Sequence, residues 1–151
     1  MKKVLVFIAL AAFGLTAYAQ TLTESEATEE TTFTLHLTDL KSPTSTVYVG
    51  FYQLDNKFPK QGQHAFRKVI KPNQMTVTQS WNDIPVGEYA IAVYQDLDEN
   101  EELATNLFGL PQEPYGFSTN FVAGIFSIPT FEKCKINISA NDAEHRISLL
   151  Q

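Results

Sequence analysis

Cysteine is nearly absent from this chain, which has one, Cys134, among 151 residues. A single thiol cannot close a disulfide within the chain, so the fold has to be stabilised by its hydrophobic core. Cys134 alternates with Ile136 and Ile138, and this spacing predicts a small buried side chain on the inner face of a strand, rather than a nucleophile or an intermolecular bridge.

Catalytic motifs are also missing. The three histidines, His36, His64 and His145, stand on separate segments without the spacing of metal ligands. There is no H-E-x-x-H, no paired-cysteine zinc motif, no G-x-S-x-G elbow and no glycine-rich phosphate loop. We therefore expect a protein that is not an enzyme. A small extracellular hydrolase is an alternative, because a triad, or an acidic pair such as Asp96 with Glu113, can assemble in space.

Long hydrophobic runs are scarce, and the clearest one lies at the N-terminus. Lys2 and Lys3 precede an apolar run over residues 4–15, and the small-x-small sequence of residues 17–19 follows it. These are the three parts of a secretory signal, and the run is shorter than the roughly 20 residues that a spanning helix needs. We expect a signal peptide over residues 1–19, a secreted or periplasmic location, and no membrane insertion after cleavage.

Positive charge is in the minority, with 11 Lys and Arg against 17 Asp and Glu. Loss of Lys2 and Lys3 with the signal moves the formal net charge from −6 to −8. Nucleic acid is not expected as a partner, because phosphate contacts need clustered Lys and Arg. Residues 20–30 are polar and acidic, which predicts a flexible leader before a domain over residues 31–151.

In the remaining sequence, many segments alternate apolar and polar residues with a period of two. This alternation predicts about seven short strands and no amphipathic helix, hence an all-β fold, a single antiparallel β-sandwich of immunoglobulin-like or transthyretin-like type. Pro85 and Gly87 predict a tight connection over residues 82–87, and the last two strands are predicted to pair around Asn141-Asp142. The strands are expected at residues 33–38, 47–52, 66–70, 75–81, 89–94, 133–139 and 145–150.

The small side chains of Ala90 and Ala92 point away from the predicted core and suggest that something packs over that outer face too. A long irregular segment, residues 96–130, is rich in aromatic residues, and loops beyond about 12–15 residues are often functional. Its aromatic residues either cover the sandwich or form a ligand-binding platform, with Tyr115, Phe117 and Glu113 as the candidate binding residues.

Three stretches in this order resemble one family of secreted bacterial proteins, domain-of-unknown-function family 2141. They are IPVGEYAIAV at residues 84–93, DLDEN at residues 96–100 and FGLPQEPYGFS at residues 108–118. The resemblance extends over about residues 33–150. It implies an exported β-sandwich with no established activity, and it brings no catalytic residues to carry over.

The clearest candidate metal ligands are Asp96, Asp98 and Asn100. Oxygen ligands at alternate loop positions are a common way to hold hard cations such as Ca²⁺, and Glu102 and Glu113 could complete the shell.

The same loop departs from the usual calcium-binding pattern. Glu101 stands where the pattern has glycine, and Leu107 stands where it has a bidentate glutamate. Proteins of the resembling family often have glycine after the asparagine and a further aspartate three residues later, where this chain has Glu101 and Ala104. A solvated acidic turn is therefore the competing interpretation.

Together these features predict an exported, non-catalytic β-sandwich module that is either a binding protein or a structural protein of the cell envelope or the surroundings. The expected ligand is a protein, a peptide or a glycan. A calcium-dependent module that uses the loop of Asp96, Asp98 and Asn100 is the first alternative, and a hydrolase is the second.

Overall fold

The computed structural model describes residues 29–107, 109–124 and 126–151. The predicted signal peptide and residues 20–28 of the predicted leader lie outside this part. Within it, no helix is both long enough and apolar enough to cross a membrane. The elements, in chain order, are β1 (Glu30–Thr38), β2 (Val47–Tyr52), β3 (Phe66–Ile70), β4 (Val77–Pro85), β5 (Gly87–Gln95), β6 (Tyr115–Phe117), α1 (Phe131–Cys134), β7 (Lys135–Ile138) and β8 (Glu144–Ser148).

The strands form two sheets, which confirms the all-β sandwich. The smaller sheet has the order β4-β1-β8, and the larger one has the order β3-β2-β5-β6 with β7 also beside β5. β6 pairs with residues 92–94 of β5, and β7 pairs with residues 87–90, so these two short strands follow one another along β5. All pairs are antiparallel except β1 with β8, which is parallel.

The main core lies between the two sheets and follows the alternation of the sequence. In β1, β2 and β5, every second side chain is buried against the opposite sheet, because successive residues of a strand face opposite sides. Phe51 is central, with its ring centroid 4.6 Å from that of Phe66 and 5.8 Å from that of Phe33. The strand residues of this core include Phe33, Leu35, Leu37, Val47, Val49, Phe51, Ile84, Tyr89, Ile91, Val93, Ile138 and Ile147.

A second apolar cluster covers the outer face of the larger sheet. All six residues of β2 are buried, which requires cover on both faces of that strand. The prediction from Ala90 and Ala92 is confirmed, since Ala90 belongs to this cluster and Ala92 packs against it. The buried members are Tyr48, Ala90, Tyr94, Tyr115, Phe117, Phe131 and Cys134.

The predicted pairing of the last two strands is wrong. β7 pairs with β5 in the larger sheet, whereas β8 pairs with β1 in the smaller one. The local turn is present as a bridge between Ser139 and Asp142, but it carries the chain from one sheet to the other. A turn signal specifies a change of direction, and it does not specify which strands pair across it.

Two further boundaries differ from the prediction. β4 continues to Pro85, so Val86 alone separates it from β5. Cys134 ends the short helix α1 instead of lying in a strand, and it packs into the outer-face cluster, apart from Ile138 in the main core. The expectation that Cys134 is a buried apolar side chain holds, and burial raises the pKa of its thiol.

Candidate ligand-binding cavity

An apolar cavity of about 670 Å³ opens on the outer face of the larger sheet. Its floor lies at the centre of the sheet, where Gly50 of β2 is directly opposite Ala92 of β5. These two small residues leave a depression between larger neighbours. The ring of Tyr52 leans over Gly50, since a Cβ atom at that position would lie 2.9 Å from its Cε2 atom.

Aromatic rings form the walls around this floor. The rings of Tyr48 and Tyr94 are stacked, with centroids 5.1 Å apart. Phe58 lies between the rings of Tyr52, at 5.2 Å, and Phe117, at 5.6 Å. Rings in these edge and stacked arrangements form rigid apolar surfaces with few rotatable bonds, which suits a preformed binding site.

Three connections complete the cavity, and their described lining residues lie within 57–64 between β2 and β3, within 103–105 and 109–111 between β5 and β6, and within 123–124 and 127–129 between β6 and α1. The first connection is held by the Tyr52 hydroxyl, which donates to the carbonyls of Pro59, at 3.2 Å, and Lys60, at 3.1 Å. Burial raises the pKa of this hydroxyl to about 12.

Gln61 and Tyr94 join the first two connections. The Tyr94 hydroxyl donates to the carbonyl of Glu101 at 2.9 Å and accepts a hydrogen bond from Gln61 Nε2 at 3.0 Å. Gln61 Nε2 also donates to the Glu101 carbonyl at 2.6 Å, and Gln61 Oε1 accepts from the Leu103 amide at 3.1 Å. Burial raises the pKa of Tyr94 well above its ordinary value. This network links β5, the connection between β2 and β3, and the loop that follows β5.

Apart from the tyrosine hydroxyls, the ionisable groups that line the cavity are basic. They are Lys57, Lys60, His64 and Arg67, and among the described residues no Asp or Glu lines it. The guanidinium carbon of Arg67 lies 4.9 Å from the centroid of the Tyr48 ring. Partial burial, together with the positive charge of Arg67, lowers the pKa of His64.

The acidic residues of the loop after β5 converge beside this cavity wall. Asp96, Asp98 and Glu113 each offer a carboxylate oxygen, and these oxygens lie within 4.8 Å of one another. Asp96 and Glu113 are almost fully buried, at 1% and 6% exposure. The amide oxygen of Asn100, the third predicted metal ligand, accepts from the backbone N–H of Glu102 at 2.7 Å.

Backbone amides partner the carboxylates of this cluster. Glu113 accepts from the N–H groups of Leu97, at 2.8 Å, and Ala104, at 3.2 Å. Asp96 accepts from the N–H groups of Asn100, at 3.2 Å, and Glu101, at 2.9 Å. Glu101 itself adopts a φ of 64°, so the sharp turn expected of a glycine is made there without one. The cluster therefore shapes the loop, and calcium binding at it stays a prediction.

The structure separates the three residues that the sequence singled out for ligand binding. Tyr115 and Phe117 line the cavity and are 8% and 5% exposed. They therefore belong both to the outer-face cluster and to the cavity wall. Glu113 does not line the cavity and instead anchors the loop that forms part of its wall.

Sequence reasoning missed the residues of β2 and of the loop that follows it. The available signal was the alternation Tyr48, Gly50, Tyr52 on the strand face opposite the core, which places aromatic rings on either side of a gap. The basic residues near Phe58 gave no comparable signal, because exposed Lys and Arg are common in connecting segments.

The fold and the cavity define a class of protein, a small two-sheet β-sandwich whose connections form an apolar cavity on the outer face of one sheet. Residues 35–146 match the model of a bacterial family described as an uncharacterized protein conserved in bacteria. The match covers more than half of the chain, so the protein belongs to this family, domain-of-unknown-function family 2141. Comparisons with curated proteins and with solved structures give no significant match.

Proposed function

We propose that the protein is an exported, non-catalytic binding module that holds a small apolar molecule in the outer-face cavity. The observation that carries this proposal is the cavity itself. Its volume of about 670 Å³ lies within the ~300–1,000 Å³ range that is usual for small-molecule sites. Its floor and walls are formed by Gly50, Ala92 and a set of aromatic rings, which offer shape and apolar surface rather than reactive groups.

The lining favours binding over acid–base chemistry. His64 lines the cavity together with three cationic side chains, and no carboxylate of the described residues stands beside it as an orienting partner. A concave apolar site also suits a small molecule better than the protein, peptide or glycan ligand predicted from the sequence. Folded proteins usually need a broad contact surface, and glycans need many polar partners.

Fluorescence of N-phenylnaphthylamine, an uncharged dye that brightens in apolar surroundings, tests the proposal. The protein without residues 1–19 should bind the dye saturably at one site per chain. Ala92→Phe places a ring on the cavity floor and should abolish that binding. Ala140→Phe, in the exposed turn after β7, makes the same substitution outside the cavity and should leave it unchanged.

The outcome that contradicts the proposal is equally specific. Absence of saturable binding by the unsubstituted protein would remove the cavity as a site for apolar molecules of this kind. Equal binding by the two phenylalanine variants would show that the dye adheres elsewhere. Circular dichroism spectra that match the unsubstituted protein establish that both variants are folded.

A further inference from the structure

We propose that the ligand of this cavity is an amphipathic anion, with an apolar body and one acidic head group such as a carboxylate, sulfonate or phosphate. The inference rests on the proposed function and adds the charge of the ligand. The observation behind it is that every charged side chain in the lining is positive.

The charged residues of the lining are positive, whereas the chain as a whole has a negative net charge. After residue 28 the chain has 9 Lys and Arg against 15 Asp and Glu. Three of those basic residues, Lys57, Lys60 and Arg67, line the cavity, and none of the acidic ones does so among the described residues. A cavity that sampled this surface at random would be lined mainly by carboxylates. The charged side chains that line the cavity instead attract a negative group, and low-dielectric walls strengthen such an attraction.

The three cavity cations also lack acidic partners. Ion pairs in the described part of the chain engage His36, Lys68, Lys135 and Arg146, and none joins Lys57, Lys60 or Arg67 to a carboxylate. None of the three cations is therefore held in an ion pair, and the carboxylates nearest the cavity, those of the loop after β5, act on the wall formed by Tyr48 and Tyr94. Arg67 is positioned by its contact with the Tyr48 ring, which leaves its N–H donors available.

The cavity cations lie beside the apolar lining. Lys57, Lys60 and Arg67 come from β3 and the connection before it. That connection extends over the sheet face, because the ring centroid of Phe58 lies 5.6 Å from that of Phe117 in β6. One ligand can therefore contact both parts of the lining, with an acidic head group and an apolar body.

A matched pair of dyes tests the inference, because anilinonaphthalene sulfonate is N-phenylnaphthylamine with an added sulfonate group. The variant Lys57→Gln/Lys60→Gln/Arg67→Gln removes the cavity cations, all three of which are exposed residues. Its control, Lys41→Gln/Lys71→Gln/Arg146→Gln, changes the net charge equally at residues outside the lining.

Loss of the cavity cations should raise the Kd of the sulfonate dye about tenfold or more, as expected for lost charge-assisted hydrogen bonds. The Kd of the uncharged dye should stay within about twofold, because the interaction removed is electrostatic. The control variant should bind both dyes as the unsubstituted protein does. In competition assays, dodecanoate should displace the uncharged dye less well from the cavity variant than from the control, whereas dodecanol should act equally on both.

Failure of the inference and failure of the proposed function give different results. If the uncharged dye binds in the cavity and the triple substitution leaves the affinities for the sulfonate dye and dodecanoate unchanged, the inference is overturned and the apolar site remains. If neither dye binds the unsubstituted protein saturably, both proposals are overturned. Equal loss of sulfonate binding in the control variant would also reject the inference, because net charge would then explain it.

Discussion

Removal of one oxygen atom, in Tyr94→Phe, should loosen the walls of the cavity by an amount that the structure allows us to calculate. The hydroxyl donates to the Glu101 carbonyl at 2.9 Å and accepts from Gln61 Nε2 at 3.0 Å, and the residue is only 9% exposed. A hydrogen bond contributes about 0.5–1.5 kcal/mol net, so the loss of two should lower the free energy of unfolding by about 2 kcal/mol.

Urea unfolding, followed by the fluorescence of Trp81, measures this loss. With a slope of about 2 kcal/mol per molar urea, the midpoint should fall by about 1 M. Tyr115→Phe is the matched control, because the side-chain oxygen of Tyr115 makes no hydrogen bond among the described residues. Its cost should stay below about 0.5 kcal/mol.

Equal losses in the two tyrosine variants would refute the reasoning, since the same atom is deleted from the same face of the sheet in both. An unchanged midpoint for Tyr94→Phe would show that its two hydrogen bonds do not hold the connections together. Tyr94→Phe should also weaken the binding of N-phenylnaphthylamine, because Gln61 and Glu101 lose a shared partner at the cavity wall.

Three further predictions concern pH, the thiol and calcium. Burial raises the pKa of Tyr52 to about 12, whereas the pKa of tyrosine is about 10 in an unfolded chain. The contribution of Tyr52 to the free energy of unfolding is therefore complete below about pH 10 and is lost as the pH rises from about 10 to about 12. Urea unfolding at pH 9 and pH 11 should show this loss, and Tyr52→Phe should reduce it; an equal loss in that variant would contradict the assignment. Cys134 is fully buried and should react with a thiol reagent only as fast as the protein unfolds, so rapid labelling in native buffer would contradict its place in the cluster. The calcium hypothesis predicts that millimolar calcium raises the melting temperature and that Asp98→Ala removes the rise; an unchanged melting temperature of the unsubstituted protein rejects it.

The alternation of the sequence predicted the faces of the long strands well. In β1, β2 and β5 the residues expected to point inward, such as Leu35, Val49 and Ile91, are fully buried between the sheets. Alternation is a property of the strand itself, because one face meets the core and the other does not. The small outward residues Ala90 and Ala92 further indicated that the second face of β5 is covered.

Strand partners could not be predicted in the same way. The parallel pairing of β1 with β8 joins Leu37 to Ile147, which are far apart in the sequence, and no local signal specifies such a pair. The turn between β7 and β8 suggested a hairpin, because most tight turns join neighbouring strands. Here the chain crosses between the sheets instead, and this closes the main core at Ile138 and Ile147.

The cavity was only partly predictable for a similar reason. Tyr115 and Phe117 were identified because aromatic residues in a long connection have to pack somewhere. The basic residues of the lining were not identified from the sequence, because the cavity forms only when three connections fold over one face of the sheet. Their common location depends on the order of β3, β2, β5 and β6 in the sheet, which is a tertiary property.

The most direct test of the central claim is a map of backbone amide chemical shifts on titration with N-phenylnaphthylamine. The account predicts that the largest changes fall on the outer face of the larger sheet and its connections, at Gly50, Ala92 and Phe117 among others. Residues of the smaller sheet, such as Leu35 and Ile147, should change little. Shifts centred between the two sheets, or spread evenly over the surface, would contradict the claim that this cavity is the binding site.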